Sequence, residues 1–202
     1  MSESRKEEII FATLKLASQK GLGGVSMNMI AESVGIKKPS LYNHFSSKEE
    51  LVNAMYEFLR NKASENVQMK FEPSFFENKS AFEILDTLVQ NYISLCCDEN
   101  IEMFYKVIYS ERAISSVAAQ ILINETEKMI NATKKLFVFL QSKKLLKFSD
   151  VEISATSFAL TIHSMMDYLA DVSFCKIGRV ERDISLIKKY ILSFCDEHKF
   201  ME

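Results

Sequence analysis

Apolar residues recur along most of this chain with the 3.6-residue period of an α-helix. In residues 4–20, for example, Ile10, Leu14 and Ala17 fall on one helical face. The same period continues in the segments 150–175 and 181–198, and no alternating apolar–polar segment of useful length indicates a strand. The pattern therefore predicts an all-α protein.

Turn residues and capping residues divide this pattern into helices. Gly21 and Gly35 each follow a helical segment, Pro39 suits the first turn of a helix, and Ser47 with Glu50 forms a predicted capping box. The predicted helices span 4–20, 27–34, 39–45, 48–70, 80–98, 102–110, 114–142, 150–175 and 181–198. Phe71-Glu72-Pro73 should end the fourth helix, and we place the domain boundary there.

Composition is consistent with a helical protein of the cytoplasm. Only five Gly and two Pro occur in 202 residues, which favours long helices joined by short connections. The chain opens with polar residues, unlike a signal peptide, and no apolar run is long enough to span a membrane. The four cysteines lack zinc-type spacing, and the adjacent Cys96-Cys97 pair suits a reduced compartment.

Charge is distributed unevenly along the chain. The net charge is −2, but residues 1–50 carry +1 and the remainder carries −3. Residues 33–48 contain three lysines, one histidine and no acidic residue. A local positive region on a neutral or acidic chain is typical of a small nucleic-acid-binding module attached to a larger body.

The spacing of Ala31, Gly35 and Leu41 is that of a helix-turn-helix. Alanine lets two helices approach closely, glycine takes the positive φ of a tight turn, and leucine anchors the second helix. In DNA-binding proteins with this motif, the second helix enters the major groove. The alternative is a tight turn between packed helices, which the acid-free stretch and the proline at the helix start make less favourable.

Helical geometry predicts which side of the third helix faces DNA. Leu41 and Phe45 lie about 40° apart and form the buried side, so Pro39 and Asn43 point away from the core. Asn43 has the donor and acceptor that an adenine edge requires. The candidate DNA-binding residues, which combine base-reading groups with cationic and neutral phosphate ligands, are Ser26, Lys37, Lys38, Pro39, Ser40, Tyr42, Asn43, His44 and Lys48.

The motif resembles a known family. Val25-Ser26, Ile30-Ala31, Val34-Gly35-Ile36 and the segment 38–51, KPSLYNHFSSKEEL, are similar to the N-terminal domain of TetR-type (tetracycline-repressor-like) transcriptional regulators. The resemblance covers roughly residues 5–60. It implies a three-helix DNA-binding domain in residues 1–48, a linking helix 48–70, and a larger helical domain, 71–202, for effector binding and dimerisation. It also places the nine residues above, Lys37 excepted, at DNA-facing positions.

The resemblance further implies a cavity in the body for a small, largely apolar effector. Candidate lining residues are Tyr92, Cys96, Met103, Phe104, Phe137, His163, Met166 and Asp167. Ordinary core packing is the alternative for each of them. His163 and Asp167, one helical turn apart, can also satisfy each other.

The two C-terminal helices are apolar enough to predict burial in a homodimer, although a purely internal core is the alternative. A dimer would read a palindromic operator in double-stranded DNA. We expect no enzyme activity, cofactor, metal or membrane partner, since the three histidines lack metal-ligand spacing and no phosphate loop or nucleophile elbow occurs. The predicted function is a repressor released by its effector. The alternative is a DNA-binding scaffold whose body binds a protein.

Overall fold

The computed structural model describes residues 4–67, 76–96, 98–175 and 180–200. These residues form α-helices joined by short turns, which confirms the predicted all-α class. The helices are α1 (Arg5–Lys20), α2 (Met27–Ser33), α3 (Lys38–Tyr42), α4 (Lys48–Val67), α5 (Ala81–Cys96), α6 (Glu99–Glu111), α7 (Ser116–Ser142), α8 (Val151–Cys175) and α9 (Val180–Glu197). The 3-10 turn Leu22–Gly24 lies between α1 and α2. The predicted breaks at 71–73 and at Gly178 lie outside the described residues.

Local capping groups explain where the first helix begins and ends. The Ser4 hydroxyl accepts a hydrogen bond from the Glu7 N–H, and the Glu7 carboxylate accepts one from the Ser4 N–H. This reciprocal pair satisfies N–H groups that have no partner inside the helix. At the other end Gly21 has φ +70°, and its N–H donates to the Ala17 carbonyl. The predicted stop at Gly21 is confirmed.

Several boundaries differ from the prediction by one or two residues, and two of those inside the described ranges differ by three. Helix α6 begins three residues earlier, because Asp98 is its N-cap and accepts hydrogen bonds from the Asn100 and Ile101 N–H groups. Helix α3 ends at Tyr42 rather than Phe45. The N–H groups of His44 and Phe45 share the Leu41 carbonyl, at 2.9 and 3.0 Å, so the chain tightens into a turn there.

The chain forms two compact units. The first contains residues 1–70 and 95–122, and its apolar core joins α1 to α4 with residues of α6 and the start of α7. In it α6 packs on α1 and α4. Residues 95–122 lie in the predicted C-terminal domain, 71–202, yet they share a core with the helix-turn-helix.

The second unit contains residues 71–94 and 123–202. Its core is a cluster of aromatic rings in which Phe137 stacks on Phe148 at 4.5 Å and meets Phe158 edge-on. Helices α8 and α9 pack against each other beside this cluster. Of the helices in the described ranges, none has the length and apolar character that crossing a membrane requires.

Candidate DNA-binding site

The turn between α2 and α3 has the geometry that the sequence predicts. Gly35 has φ +68°, in the left-handed region that glycine adopts without a steric penalty. The Ile36 N–H donates to the Ala31 carbonyl at 2.9 Å, which closes the turn onto the end of α2. The chain thus reverses within a few residues and delivers α3 against α2.

Helix α3 is fixed from one side. Leu41 is fully buried and Phe45 is 3% exposed, both in the core of the first unit. Ala31, 2% exposed, allows the close approach of α2. Pro39 and Asn43 are exposed on the opposite side of α3, as predicted.

The exposed side of α3 is polar and carries cations at its start. Lys37 is the N-cap residue in extended conformation, and Lys38 begins the helix. The Lys38 ammonium lies 5.9 Å from the centre of the Tyr42 ring, within the range of a cation–π contact. The predicted residues Lys37, Lys38, Pro39, Ser40, Tyr42 and Asn43 are all exposed, whereas His44 and Lys48 are partly buried.

Two of the predicted phosphate ligands also have structural contacts. The Ser26 hydroxyl caps α2 by accepting a hydrogen bond from the Met29 N–H at 3.3 Å. The Lys48 ammonium donates to the Leu22 carbonyl at 2.5 Å, which ties the start of α4 to the 3-10 turn. Both side chains are therefore held at defined positions without DNA, and their role as DNA ligands stays a prediction.

The predicted capping box of α4 is only half correct. The Ser47 hydroxyl accepts a hydrogen bond from the Glu50 N–H at 3.0 Å, as expected. The Glu50 carboxylate, however, accepts hydrogen bonds from the Ser46 N–H, at 2.7 Å, and from the Ser46 hydroxyl. These bonds stabilise the charged form and lower the pKa of Glu50. They fix the loop between α3 and α4.

Two basic residues at the start of α1 contact the helix-turn-helix, although neither is among the predicted DNA-binding residues. The Arg5 guanidinium donates to the Val34 carbonyl at 3.2 Å, at the end of α2. The Lys6 ammonium lies 5.5 Å from the centre of the Phe45 ring, just after α3. The adjacent basic pair at the start of the first helix was the available signal in the sequence. Nothing local connects it to Val34 and Phe45, which lie 29 and 39 positions later.

Part of the predicted effector site is assembled within the second unit. The Tyr92 hydroxyl and His163 Nδ1 are 2.9 Å apart, and His163 Nε2 lies 4.0 Å from an Asp167 carboxylate oxygen. The structure thus joins α5 to α8 through a polar chain of three predicted residues. Met166 is partly buried and packs against the same apolar core.

The other candidates are distributed differently. Phe137 is fully buried in the aromatic core of the second unit. Phe104 is buried in the core of the first unit, against Tyr56. Met103 and the half-buried Cys96 also belong to the first unit. Met103 lines an open groove of about 320 Å³ between α1 and α6, together with Phe11, Ala12, Lys15, Glu99 and Asn100.

Large apolar side chains are exposed along α8 and α9. Those with more than 40% exposure are Ile153, Leu160, Tyr168, Phe174, Leu186 and Leu192. Single exposed apolar residues are ordinary, but a series of them on two adjacent helices is typical of a protein–protein contact. In the described part of the chain, no three His, Cys, Asp or Glu side chains are grouped closely enough to hold a metal ion.

Comparisons with known proteins agree with this geometry. The sequence profile described as "Bacterial regulatory proteins, tetR family" matches residues 9–55, which contain the whole helix-turn-helix. The biofilm operon icaADBC HTH-type negative transcriptional regulator IcaR of Staphylococcus aureus strain Newman is 29% identical over 185 residues, covering 80% of this chain and 97% of IcaR.

Solved structures share the fold over almost the full length. A TetR-family transcriptional regulator of Mesorhizobium loti has a TM-score of 0.73 at 19% identity, covering 98% of this chain and 100% of its own. AibR, solved with isovaleryl coenzyme A and operator DNA, has a TM-score of 0.65 at 18% identity, covering 92% of this chain and 96% of its own. Residues 9–55 thus form a domain of the family of bacterial regulatory proteins described as tetR, and the chain shares the fold of TetR-family transcriptional regulators over most of its length.

Proposed function

We propose that this protein is a repressor that binds a palindromic operator as a homodimer and releases it when a small, largely apolar effector binds. The observation that carries the proposal is the polar, acid-free exposed side of α3, fixed from behind by Leu41 and Phe45. The similarity to IcaR, a negative regulator, favours repression over activation.

Each DNA-facing group has a chemical task in this proposal. Asn43 reads a base edge in the major groove, where an amide pairs both its groups with adenine. Lys37 and Lys38 at the start of α3, and Lys48 at the start of α4, neutralise phosphates on the two sides of the groove. Ser26, Tyr42 and His44 form hydrogen bonds with the phosphates of the DNA backbone. Pro39 and Ser40 allow the start of α3 to approach the bases closely.

Dimerisation through α8 and α9 supplies the second reading head. A second copy that covers the exposed apolar side chains of these helices, such as Leu160 and Leu186, removes apolar surface from water, and this stabilises the dimer. Two heads about 34–36 Å apart would read two half-sites one helical turn apart. Sedimentation equilibrium of the wild type and of a Leu160→Asp, Leu186→Asp double variant tests this step. A wild type that is monomeric at micromolar concentration contradicts it.

The effector is proposed to bind in the second unit near Tyr92, His163 and Asp167. These groups are held on α5 and α8, and offer hydrogen bonds beside an otherwise apolar core. An effector acts only by binding the DNA-free arrangement more tightly than the DNA-bound one. Coupling of about 1–3 kcal/mol would reduce operator affinity about 5–150-fold.

Selection of bound fragments from random duplex DNA tests the central step. We expect a palindromic site whose half-sites are one helical turn apart. Asn43→Ala should then relax the choice of base at one position of each half-site. Lys48→Ala should instead weaken binding to operator and random DNA alike and reduce the salt dependence. Equal losses on both DNAs for both variants would contradict the assignment of roles.

The effector step needs a separate measurement. A thermal-shift screen of acyl and aromatic metabolites identifies compounds that stabilise the protein, and each is then tested for release of the operator. If the protein binds its operator with constant affinity across such a screen, the effector step is wrong. A protein partner found in a pull-down would then favour the scaffold function.

A further inference from the structure

The structure places one more cation beside the recognition helix. Lys6 is exposed on the first turn of α1, and its ammonium lies over the ring of Phe45, 5.5 Å from the ring centre. Phe45 directly follows His44, and it is three residues before Lys48. Lys6 and Phe45, which are 39 positions apart in sequence, therefore meet just after the end of α3.

We propose that Lys6 is a DNA-backbone ligand that works with His44 and Lys48 on the flank where α3 ends. This inference rests on the proposed function, since it assumes that α3 enters the major groove. A helix of about 10–12 Å diameter fills a groove about 12 Å wide, so phosphates lie on both of its sides. Lys37 and Lys38 bind phosphates on the side where α3 begins, and Lys6 binds phosphates on the side where α3 ends.

The side chain can reach a phosphate because little holds it in the free protein. Its contact with Phe45 leaves the ammonium in solvent, and a four-carbon stem allows it to move by several rotamer changes. On DNA, the ammonium exchanges a weak contact with a ring for an ion pair with phosphate.

Glu50 is the acidic group to consider on this flank. Its carboxylate is fixed on Ser46 by two hydrogen bonds, and the positive charge of Lys6 helps to lower the pKa of Glu50. A carboxylate held here repels phosphate, and Lys6 offsets that repulsion. Lys6 thus has two separable effects on DNA affinity: direct phosphate contact and neutralisation of Glu50.

The test measures DNA affinity by fluorescence anisotropy over a series of salt concentrations, with the selected operator and with a random duplex. Each phosphate contact adds about 0.9 to the slope of log K against log salt. For a dimer, Lys6→Ala should therefore reduce the slope by about 2 and weaken binding to both DNAs by about tenfold or more at moderate salt. Lys6→Arg should retain the wild-type slope.

Lys15→Ala is the matched control. Lys15 is exposed on the same helix, nine residues later and thus about 180° around it, where it lines the groove beside α6. It should leave the slope unchanged. A slope for Lys6→Ala equal to that of Lys15→Ala overturns the inference. Coinciding urea unfolding curves of the two variants show that folding is not the cause.

A second pair of variants separates contact from neutralisation. In a Glu50→Gln background, the removal of Lys6 should still reduce the slope, because a phosphate contact is lost. If it has no effect there, Lys6 acts only on Glu50 and the inference is wrong. A wild type that binds no duplex at low ionic strength overturns the proposed function itself, together with this inference. Normal wild-type binding with an unchanged Lys6→Ala slope overturns only the role of Lys6.

Discussion

The turn at Gly35 allows a prediction of magnitude from the structure. A Cβ atom added at this position would meet no heavy atom within 4 Å, so alanine adds strain only through the backbone. A left-handed conformation costs an L-residue roughly 1–2 kcal/mol. Alanine also restricts the unfolded chain, which returns roughly 0.4–1 kcal/mol. We therefore expect Gly35→Ala to lower the free energy of unfolding by about 1 kcal/mol.

Gly23 provides the control, since an added Cβ also meets nothing within 4 Å there and the residue has no positive φ. Gly23→Ala keeps the gain from the unfolded chain without the strain, and should stabilise the protein by about 0.5 kcal/mol. Urea unfolding followed by circular dichroism measures both changes as shifts of the midpoint at constant slope.

Two results would refute this reasoning. If Gly35→Ala is as stable as Gly23→Ala, the turn does not depend on the left-handed conformation. If it loses more than about 3 kcal/mol, the change must involve a mechanism such as a clash or loss of packing. Gly35→Asn distinguishes these cases, because asparagine tolerates positive φ better than alanine does.

Three further changes test other contacts. Burial, and secondarily Glu111, raises the pKa of Tyr56 to about 12. The unfolded chain therefore loses this proton first, and the free energy of unfolding falls by about 2–3 kcal/mol between pH 10 and 12. This loss should be absent from the alkaline unfolding curves of Tyr56→Phe. Burial, and secondarily Asp196, raises the pKa of the Cys195 thiol to about 11, so mass spectrometry should find it unlabelled by a thiol reagent at pH 8 in native protein and labelled in urea. Ser26→Ala removes the cap of α2 and should cost about 1 kcal/mol in thermal unfolding, whereas Ser26→Gly should cost only a few tenths.

The accuracy of the predicted helices has a local cause. Gly21, Gly35 and Asp98 act on backbone groups within a few residues, so the sequence around each contains most of the information about a helix end. The error at Asp98 shows the limit of this information. The predicted helices 80–98 and 102–110 leave residues 99–101 as a break, because the same polar residues that separate helices also begin them.

Contacts between distant segments could not be obtained in this way. The Lys48 ammonium on the Leu22 carbonyl and the Arg5 guanidinium on the Val34 carbonyl join residues that are 26 and 29 positions apart. Neither follows a helical period, since each depends on how α1, α2 and α4 pack. The exposed side of α3 was predicted correctly because it needed only the angle between Leu41 and Phe45 on one predicted helix, and its role in reading DNA stays a prediction.

The candidate effector residues show why a binding cavity is harder to predict than the exposed side of a helix. Phe104 and Phe137 look alike in sequence, as apolar residues on amphipathic helices, yet one is buried in the first unit and the other in the second. A core and an apolar cavity require the same side chains, and they differ only in whether packing is complete. Polar residues inside such a region carry more information, because each must find a partner there. The Tyr92 hydroxyl on α5 lies within hydrogen-bond distance of His163 on α8. Substitutions at this pair should therefore affect the proposed effector binding without removing core side chains, whereas substitutions at the two phenylalanines would disrupt the core.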